Sequence, residues 1–186
     1  ATKGIEIETG KRMCEVIREE TCVRKVGVLA GPNLAGELVR RKPAGTLVAS
    51  PFEEVFQAAQ DALHCNYFRV YSGKDVIGAE VGGAFKNIIA VAAGVVDGFE
   101  MGDNTKSLLL TRGLNEMARL GDTMGAQLVT FGGLSGIGDL MCTCASPLSR
   151  NHQVGARIAA GQRRARIERE MHMVAEGVKT AKAIHN

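Results

Sequence analysis

A lysine stands in the middle of an apolar run of small residues, Val81-Gly-Gly-Ala-Phe-Lys86-Asn87-Ile-Ile-Ala-Val-Ala-Ala-Gly94. An ammonium among such residues must reach water, find a counter-charge or serve chemistry, because an unpaired buried charge is strongly unfavourable. Helical side chains lean toward the N-terminus, which places Lys86 over Gly82 and Gly83, where no side chain fills the space and a ligand could lie beside the amine. Two glycines inside a helix give up roughly 1 kcal/mol each in propensity, a loss that close approach of a ligand or of another backbone would offset. The ordinary alternative is a lysine on the solvent edge of an amphipathic helix, although Ile88, Ile89, Val91 and Ala92 leave it almost no polar face.

A second cluster runs Gly133-Leu-Ser-Gly-Ile-Gly-Asp139-Leu-Met-Cys-Thr143-Cys-Ala-Ser-Pro-Leu-Ser149-Arg150-Asn151. Its glycines specify a bent loop that delivers Asp139 beside an apolar stretch, where a carboxylate needs a partner. Lys86 is the candidate; capping of the turn that follows is the other use for the aspartate. Ser149 reads as a helix N-cap, with Arg150 and Asn151 in the first turn. Free backbone N–H groups, the positive end of the helix dipole and a guanidinium together outline a phosphate site. An exposed first-turn arginine is the plainer reading of the same three residues. Gly31-Pro32-Asn33-Leu34-Ala35 falls between a strand and a helix, the place in an open α/β sheet where ligands meet strand ends. Lys3-Gly4 and Glu176-Gly177 are locally indistinguishable from an exposed terminus and a surface turn.

These residues need a scaffold. Thr9 is placed to cap a helix carrying Met13, Val16 and Ile17, and Lys25–Ala30, Gly45–Ser50 and Asn66–Tyr71 read as strands. A helix from Phe52 to Leu63 lies between the last two. Alternating strand and helix predict an α/β unit with a largely parallel sheet over residues 1–72. From residue 73 onward the pattern becomes helical: Asp75–Val96, Asn104–Met124 closed by Gly125, and Arg150–Ala160 closed by Gly161. The expected architecture is α/β followed by all-α.

Composition narrows the function. The 186 residues carry 45% hydrophobic side chains, enough for a core, and only 4% aromatics, which argues against a base-stacking surface and leaves nucleic acid unrequired. The net charge is +3, concentrated in short basic runs such as Arg40-Arg41-Lys42. Five cysteines without a disulfide rhythm suit a reducing compartment. Cys142 and Cys144 have no partner pair at zinc-ligand spacing, so no metal is expected. No secretory signal opens the chain and no apolar run is read as long enough to span a membrane, so the expectation is a cytoplasmic protein.

Val81-Gly-Gly-Ala-Phe-Lys-Asn87, Gly136-Ile-Gly-Asp-Leu140, Ser149-Arg-Asn151 and Val174-Ala-Glu-Gly177, taken together and in this order, resemble the NAD(P)-dependent glycerol-3-phosphate dehydrogenases of the bacterial type. The resemblance runs through nearly the whole chain. It implies the later part of a Rossmann-like nucleotide-binding domain at 1–72 and a helical substrate domain at 73–186. The implied activity is interconversion of dihydroxyacetone phosphate and sn-glycerol 3-phosphate with NAD or NADP, supplying glycerol 3-phosphate for phospholipid synthesis. By the matched motifs, Lys86 is the general acid/base, Asp139 and Asn87 orient it or the substrate, and Lys3 touches both substrate and cofactor. Gly31, Asn33, Thr143, Ser149, Arg150 and Asn151 match substrate positions; Ala35, Arg150, Val174 and Glu176 match cofactor positions. Many relatives carry a small hydroxyl residue where this chain has Asn33. Family members are commonly oligomeric, so a homodimer is compatible, with no stripe of residues marking its interface.

No G-x-G-x-x-G/A between a strand and a helix is found in the sequence, and the family places that turn near its N-terminus. The expectation is therefore a piece of a longer protein that by itself has little dehydrogenase activity. Two other readings stay open. Related hydroxyacid dehydrogenases put a lysine and an asparagine a turn apart, whereas Lys86 and Asn87 are adjacent; a non-catalytic helical module is the alternative outside enzymes.

Overall fold

The computed structural model describes residues 2–171 and 176–185. In chain order the elements are α1 (Met13–Glu20), β1 (Val28–Ala30), α2 (Ala35–Val39), β2 (Ala44–Ala49), α3 (Glu53–Leu63), β3 (Phe68–Gly73), α4 (Val76–Gly98), α5 (Gly102–Thr123), α6 (Leu128–Phe131), a π-helical turn (Leu134–Gly138), α7 (Asp139–Ala145), α8 (Arg150–Ala159), α9 (Arg164–Glu170) and α10 (Glu176–His185). A mixed α/β unit followed by helices is thus the architecture, as the sequence pattern predicts.

The sheet departs from the expected parallel order. Strands run β1-β2-β3, with β2 and β3 parallel from Ala44 opposite Phe68 to Ala49 opposite Gly73, but β1 antiparallel to β2 with Val28 opposite Ala49. The connections explain the difference. Between β2 and β3 the 11-residue α3 provides a full crossover, whereas β1 and β2 are joined through the five-residue α2 and a turn at Arg41, whose φ is 56°, so the chain doubles back. The first helix also starts later than expected. Gly10, at φ 68°, turns the chain and Arg12 occupies the N-cap position, its N–H bonded to the Glu15 carboxylate at 2.8 Å; the Thr9 hydroxyl instead donates to Glu6.

Everything is organised on α4, which packs against α5, α7, α8, α10 and the sheet. Val81, Ile89, Ala90 and Ala93 face Met117, Phe131, Leu140 and Cys144 to form the main core. By length and apolarity α4 and the run Leu128–Ala145 could cross a membrane, contrary to the expectation that no run is long enough. Here α4 is instead the buried centre of the helices, with Glu80, Lys86 and Asn87 all inside.

The α4–α8 crossing is close because it is lined with glycine. A Cβ on Gly155 would run into the Val91 carbonyl, and one on Gly94 into the His152 carbonyl. Backbone cannot step aside as a flexible side chain can, so Gly155→Ala is expected to cost about 3 kcal/mol in urea unfolding. Gly36→Ala, where no atom lies within 4 Å of the added methyl, serves as the control and is expected to be neutral or mildly stabilising.

Candidate active site

Lys86 leaves only 6% of its surface exposed, and two groups hold its ammonium among the described residues. It pairs with Asp139 Oδ1 and donates to Thr143 Oγ1 at 2.8 Å. The Thr143 hydroxyl passes its own proton to the Asp139 carbonyl at 2.6 Å, which leaves its lone pairs to face the lysine. Lys3 approaches the other carboxylate oxygen of Asp139 at 2.8 Å. One carboxylate, 2% exposed, is therefore shared by two ammonium groups. Burial, and next the positive charge of Lys3, push the Lys86 pKa down to about 8 against the opposing pull of Asp139.

The local fold explains how these groups meet. The π-helical turn lays the Ser135 carbonyl directly over Gly82, and α7 starts at Asp139 immediately afterwards. The alkyl stem of Lys3 lies 3.5 Å from where a Cβ on Gly83 would be. The open space expected above the two glycines is thus filled, by a backbone at Gly82 and by a second lysine at Gly83. Close approach is the reason for the glycines.

Asn87, one residue on, belongs to a different network. Its Nδ2 donates to Glu176 Oε2 at 3.0 Å, and Asn151 Oδ1 accepts from the Gly177 N–H at 2.9 Å, so α4, α8 and the start of α10 are tied together. Ser149 is the N-cap of α8, accepting from the His152 N–H at 3.3 Å. The Arg150 side chain is half-buried, makes no hydrogen bond among the described residues, and lines a cleft with Gln153, Arg157 and Glu170 rather than joining Lys86. Ala35 is exposed at the first position of α2. Val174 lies outside the described residues.

Gly31, at φ 140°, ends β1 and packs on the Gly45–Thr46 backbone, while Pro32 abuts Gly138 just before Asp139. Asn33 is more informative. The Thr46 hydroxyl bonds the Ala30 carbonyl at 3.1 Å, so it can only accept from Asn33 Nδ2, at 2.8 Å. That fixes the amide, and its Oδ1 is left buried without a partner among the described residues. A buried lone acceptor suits a hydroxyl donor from a ligand. Glu80, 8% exposed on α4 and bonded to Arg12, is a further buried charge that no sequence motif marks; its only signal is the one that marks Lys86, a charged residue in an apolar helix.

Comparison with known proteins identifies the family. Residues 75–186 match the family model described as NAD-dependent glycerol-3-phosphate dehydrogenase C-terminus, and residues 1–56 match the N-terminus of the same family. A relative from Sphingopyxis alaskensis named glycerol-3-phosphate dehydrogenase [NAD(P)+] 2 is 48% identical over 183 residues, covering 98% of this chain and 55% of that protein. A relative from Acinetobacter baumannii, named glycerol-3-phosphate dehydrogenase [NAD(P)+], is 49% identical over 179 residues, covering 96% of this chain and 50% of its own length. The crystal structure of glycerol-3-phosphate dehydrogenase from Coxiella burnetii superposes with a TM-score of 0.95 at 34% identity, over 100% of this chain and 57% of that one. The chain spans about half the length of the curated relatives it matches. By its sequence, its fold and the elements that carry its buried lysine, this chain belongs to the NAD-dependent glycerol-3-phosphate dehydrogenase family.

Proposed function

We propose that this chain supplies the substrate-binding and proton-transferring half of an oxidoreductase that interconverts dihydroxyacetone phosphate and sn-glycerol 3-phosphate with NAD or NADP, feeding phospholipid synthesis. Residues 1–72 are the end of its nucleotide-binding domain and 73–186 its substrate domain. The observation that carries this reading is the buried Lys86, held by Asp139 and Thr143 with its pKa pushed down to about 8. An amine in that range can hold a proton at neutral pH and release it within the reaction.

In the reducing direction Lys86 gives a proton to the C2 oxygen as the ketone becomes an alcohol, and takes it back in the reverse direction. The nicotinamide ring, when bound, supplies or accepts the hydride at C2. Lys3 keeps positive charge beside the developing alkoxide, and Asp139 aims both ammonium groups. Asn33 Oδ1 accepts from a substrate hydroxyl, and Gly31 shapes the turn that presents it. Ser149, Arg150 and Asn151 form the helix start that receives the phosphate, the guanidinium having no competing partner among the described residues. The donor set also fits a nicotinamide dinucleotide: Arg150 would suit its phosphates, Lys3 and Glu176 would offer it a donor and an acceptor, and Ala35 and, by the matched motif alone, Val174 would be further contact positions.

The test is turnover in a protein that carries this chain together with its nucleotide-binding half. Oxidation of NADPH or NADH that depends on dihydroxyacetone phosphate, and that pyruvate or other unphosphorylated oxo compounds do not support, is expected. Equal turnover of an unphosphorylated 2-oxo acid would replace this reading with a hydroxyacid dehydrogenase.

A further inference from the structure

Lys3 sits at the start of the chain, yet it must hold its ammonium against Asp139 to within a hydrogen bond. Residues 5–12 form a closed turn: Ile5 bridges Arg12, the Glu6 N–H donates to the Lys11 carbonyl at 2.9 Å, and the Gly10 N–H donates to the Glu6 carbonyl at 3.0 Å. Gly4 alone separates this turn from Lys3, so where the turn is anchored decides how far the lysine can reach. Among the described residues only two hydrogen-bonded contacts join residues 2–12 to anything beyond α1, the Lys3–Asp139 pair and the Arg12–Glu80 pair at 2.7 Å. Glu80 is unusually committed to the second. Its Oε2 takes the Arg12 guanidinium and its Oε1 takes the Cys14 N–H at 2.8 Å, inside a site where the carboxylate is 8% exposed. The other arm of Arg12 reaches Glu15 at 2.7 Å, so the guanidinium is gripped from both sides.

Glu80 and Lys86 lie on the same helix, and the stem of Lys3 runs over Gly83 between them. The frame is therefore Glu80 to Arg12, through the closed turn to Lys3, and from Lys3 across Asp139 back to Lys86. We propose that Glu80, acting through Arg12, is a positioning residue that holds the Lys3 ammonium against Asp139 and so sets the protonation state of Lys86. This rests on the reading of Lys86 as the acid/base group.

The sign of the effect separates this from a direct influence of Glu80. The charged and titratable groups acting on Lys86 are Lys3 from the N-terminal segment and Asp139, Cys142 and Cys144 from α7. Lys3 lowers the proton affinity of Lys86, so letting Lys3 swing away raises it. Removing the negative Glu80 by itself could only lower it, because a nearby carboxylate favours the ammonium form. Glu80→Gln is the apt change: the two donors address different carboxylate oxygens, and a glutamine puts an NH2 donor in place of one of them.

The experiment follows the Cε resonances of 13C-labelled lysine in the 186-residue chain as a function of pH, assigning Lys86 and Lys3 by Lys86→Arg and Lys3→Met. It needs no turnover, so its outcome is separate from that of the activity assay. In the parent, Lys86 is expected to titrate well below the exposed lysines. Glu80→Gln is expected to raise its midpoint by about one pH unit, as loss of a neighbouring like charge does. Lys3→Met should raise it similarly, and Glu80→Gln should add nothing in the Lys3→Met background. An unchanged midpoint, a downward shift, or a further shift on top of Lys3→Met would overturn the proposal. A parent Lys86 that titrates like an exposed lysine would overturn the acid/base reading and this one with it. If Glu80→Gln does not fold, Arg12→Lys, which can reach Glu80 or Glu15 but not both, takes its place in the same cycle with the same expected signs.

Discussion

Replacing Lys86 with methionine is expected to abolish turnover while making the protein more stable. The catalytic loss follows from removing the group proposed to give its proton to the C2 oxygen, and general acid–base groups are worth on the order of 10^2 to 10^4 in rate. A fall in kcat of about 10^3 or more, in a protein that has the nucleotide-binding half in place, is the outcome to look for; unchanged turnover would remove Lys86 from the mechanism. The gain in stability follows from its pKa. Unfolded, the lysine holds its proton to the ordinary value of 10.5, whereas folded it lets go at about 8. Below the lower value both states are charged and the folded state bears the full penalty, roughly 3 kcal/mol. Between the two values the unfolded chain binds the extra proton, so stability rises with pH across that window. Methionine has a similar length, removes the charge and leaves Lys3 and Asp139 as a balanced pair, at the loss of the hydrogen bonds to Thr143 and Asp139. A net gain of about 1–2 kcal/mol at pH 7, shrinking toward pH 10, is expected from denaturant unfolding of both proteins. A residue retained for folding would show the opposite sign.

Lys86 is legible in the sequence because burial of a charge leaves a local trace: apolar neighbours on every face of one helix. Its partner Asp139 is legible for the same reason at the end of a glycine-rich loop. The function of Gly82 and Gly83 is only half legible, since the sequence shows that something approaches closely and cannot say that it is the Ser135 carbonyl and the stem of Lys3. The π-helical turn that brings Ser135 there has no sequence signature in Leu134–Gly138 beyond its small residues. Antiparallel pairing of β1 with β2 depends on how α2 ends, at a positive φ on Arg41 that its residue type does not announce. Lys3 is the hardest case. Its neighbours are unremarkable, and only the resemblance singles it out, because the contact with Asp139 spans 136 positions of chain. Glu80 and Arg12 go unmarked for a related reason: Arg12 sits in an ordinary basic pair with Lys11, and its meaning lies in a carboxylate 68 residues away.

Replacing Asp139 with asparagine is expected to be the most damaging single change that keeps the shape of the site. The carboxylate is 2% exposed and is shared by Lys3 and Lys86. The amide leaves two ammonium groups facing each other across a buried site without a counter-charge, and removing one partner from a buried pair costs about 3–5 kcal/mol. Asp139 is also the group that pulls the Lys86 pKa upward, so its loss lets burial and Lys3 push that pKa further below about 8. Two consequences can be measured. Ketone reduction, which needs Lys86 protonated, should lose most of its rate at pH 7 and recover part of it toward lower pH, as far as the weakened fold allows. Stability should behave in the reverse sense. With the folded pKa lowered, the unfolded chain binds the additional proton over a wider pH range, so the part of the deficit that comes from Lys86 is greatest below the lowered value and closes as pH rises through about 8, the parent's folded value. Unfolding in urea at pH 7 and pH 10 reads this directly. A deficit that stays constant across that range would mean that Asp139 serves packing and hydrogen bonding alone, and would take the charge balance of the two lysines out of the site.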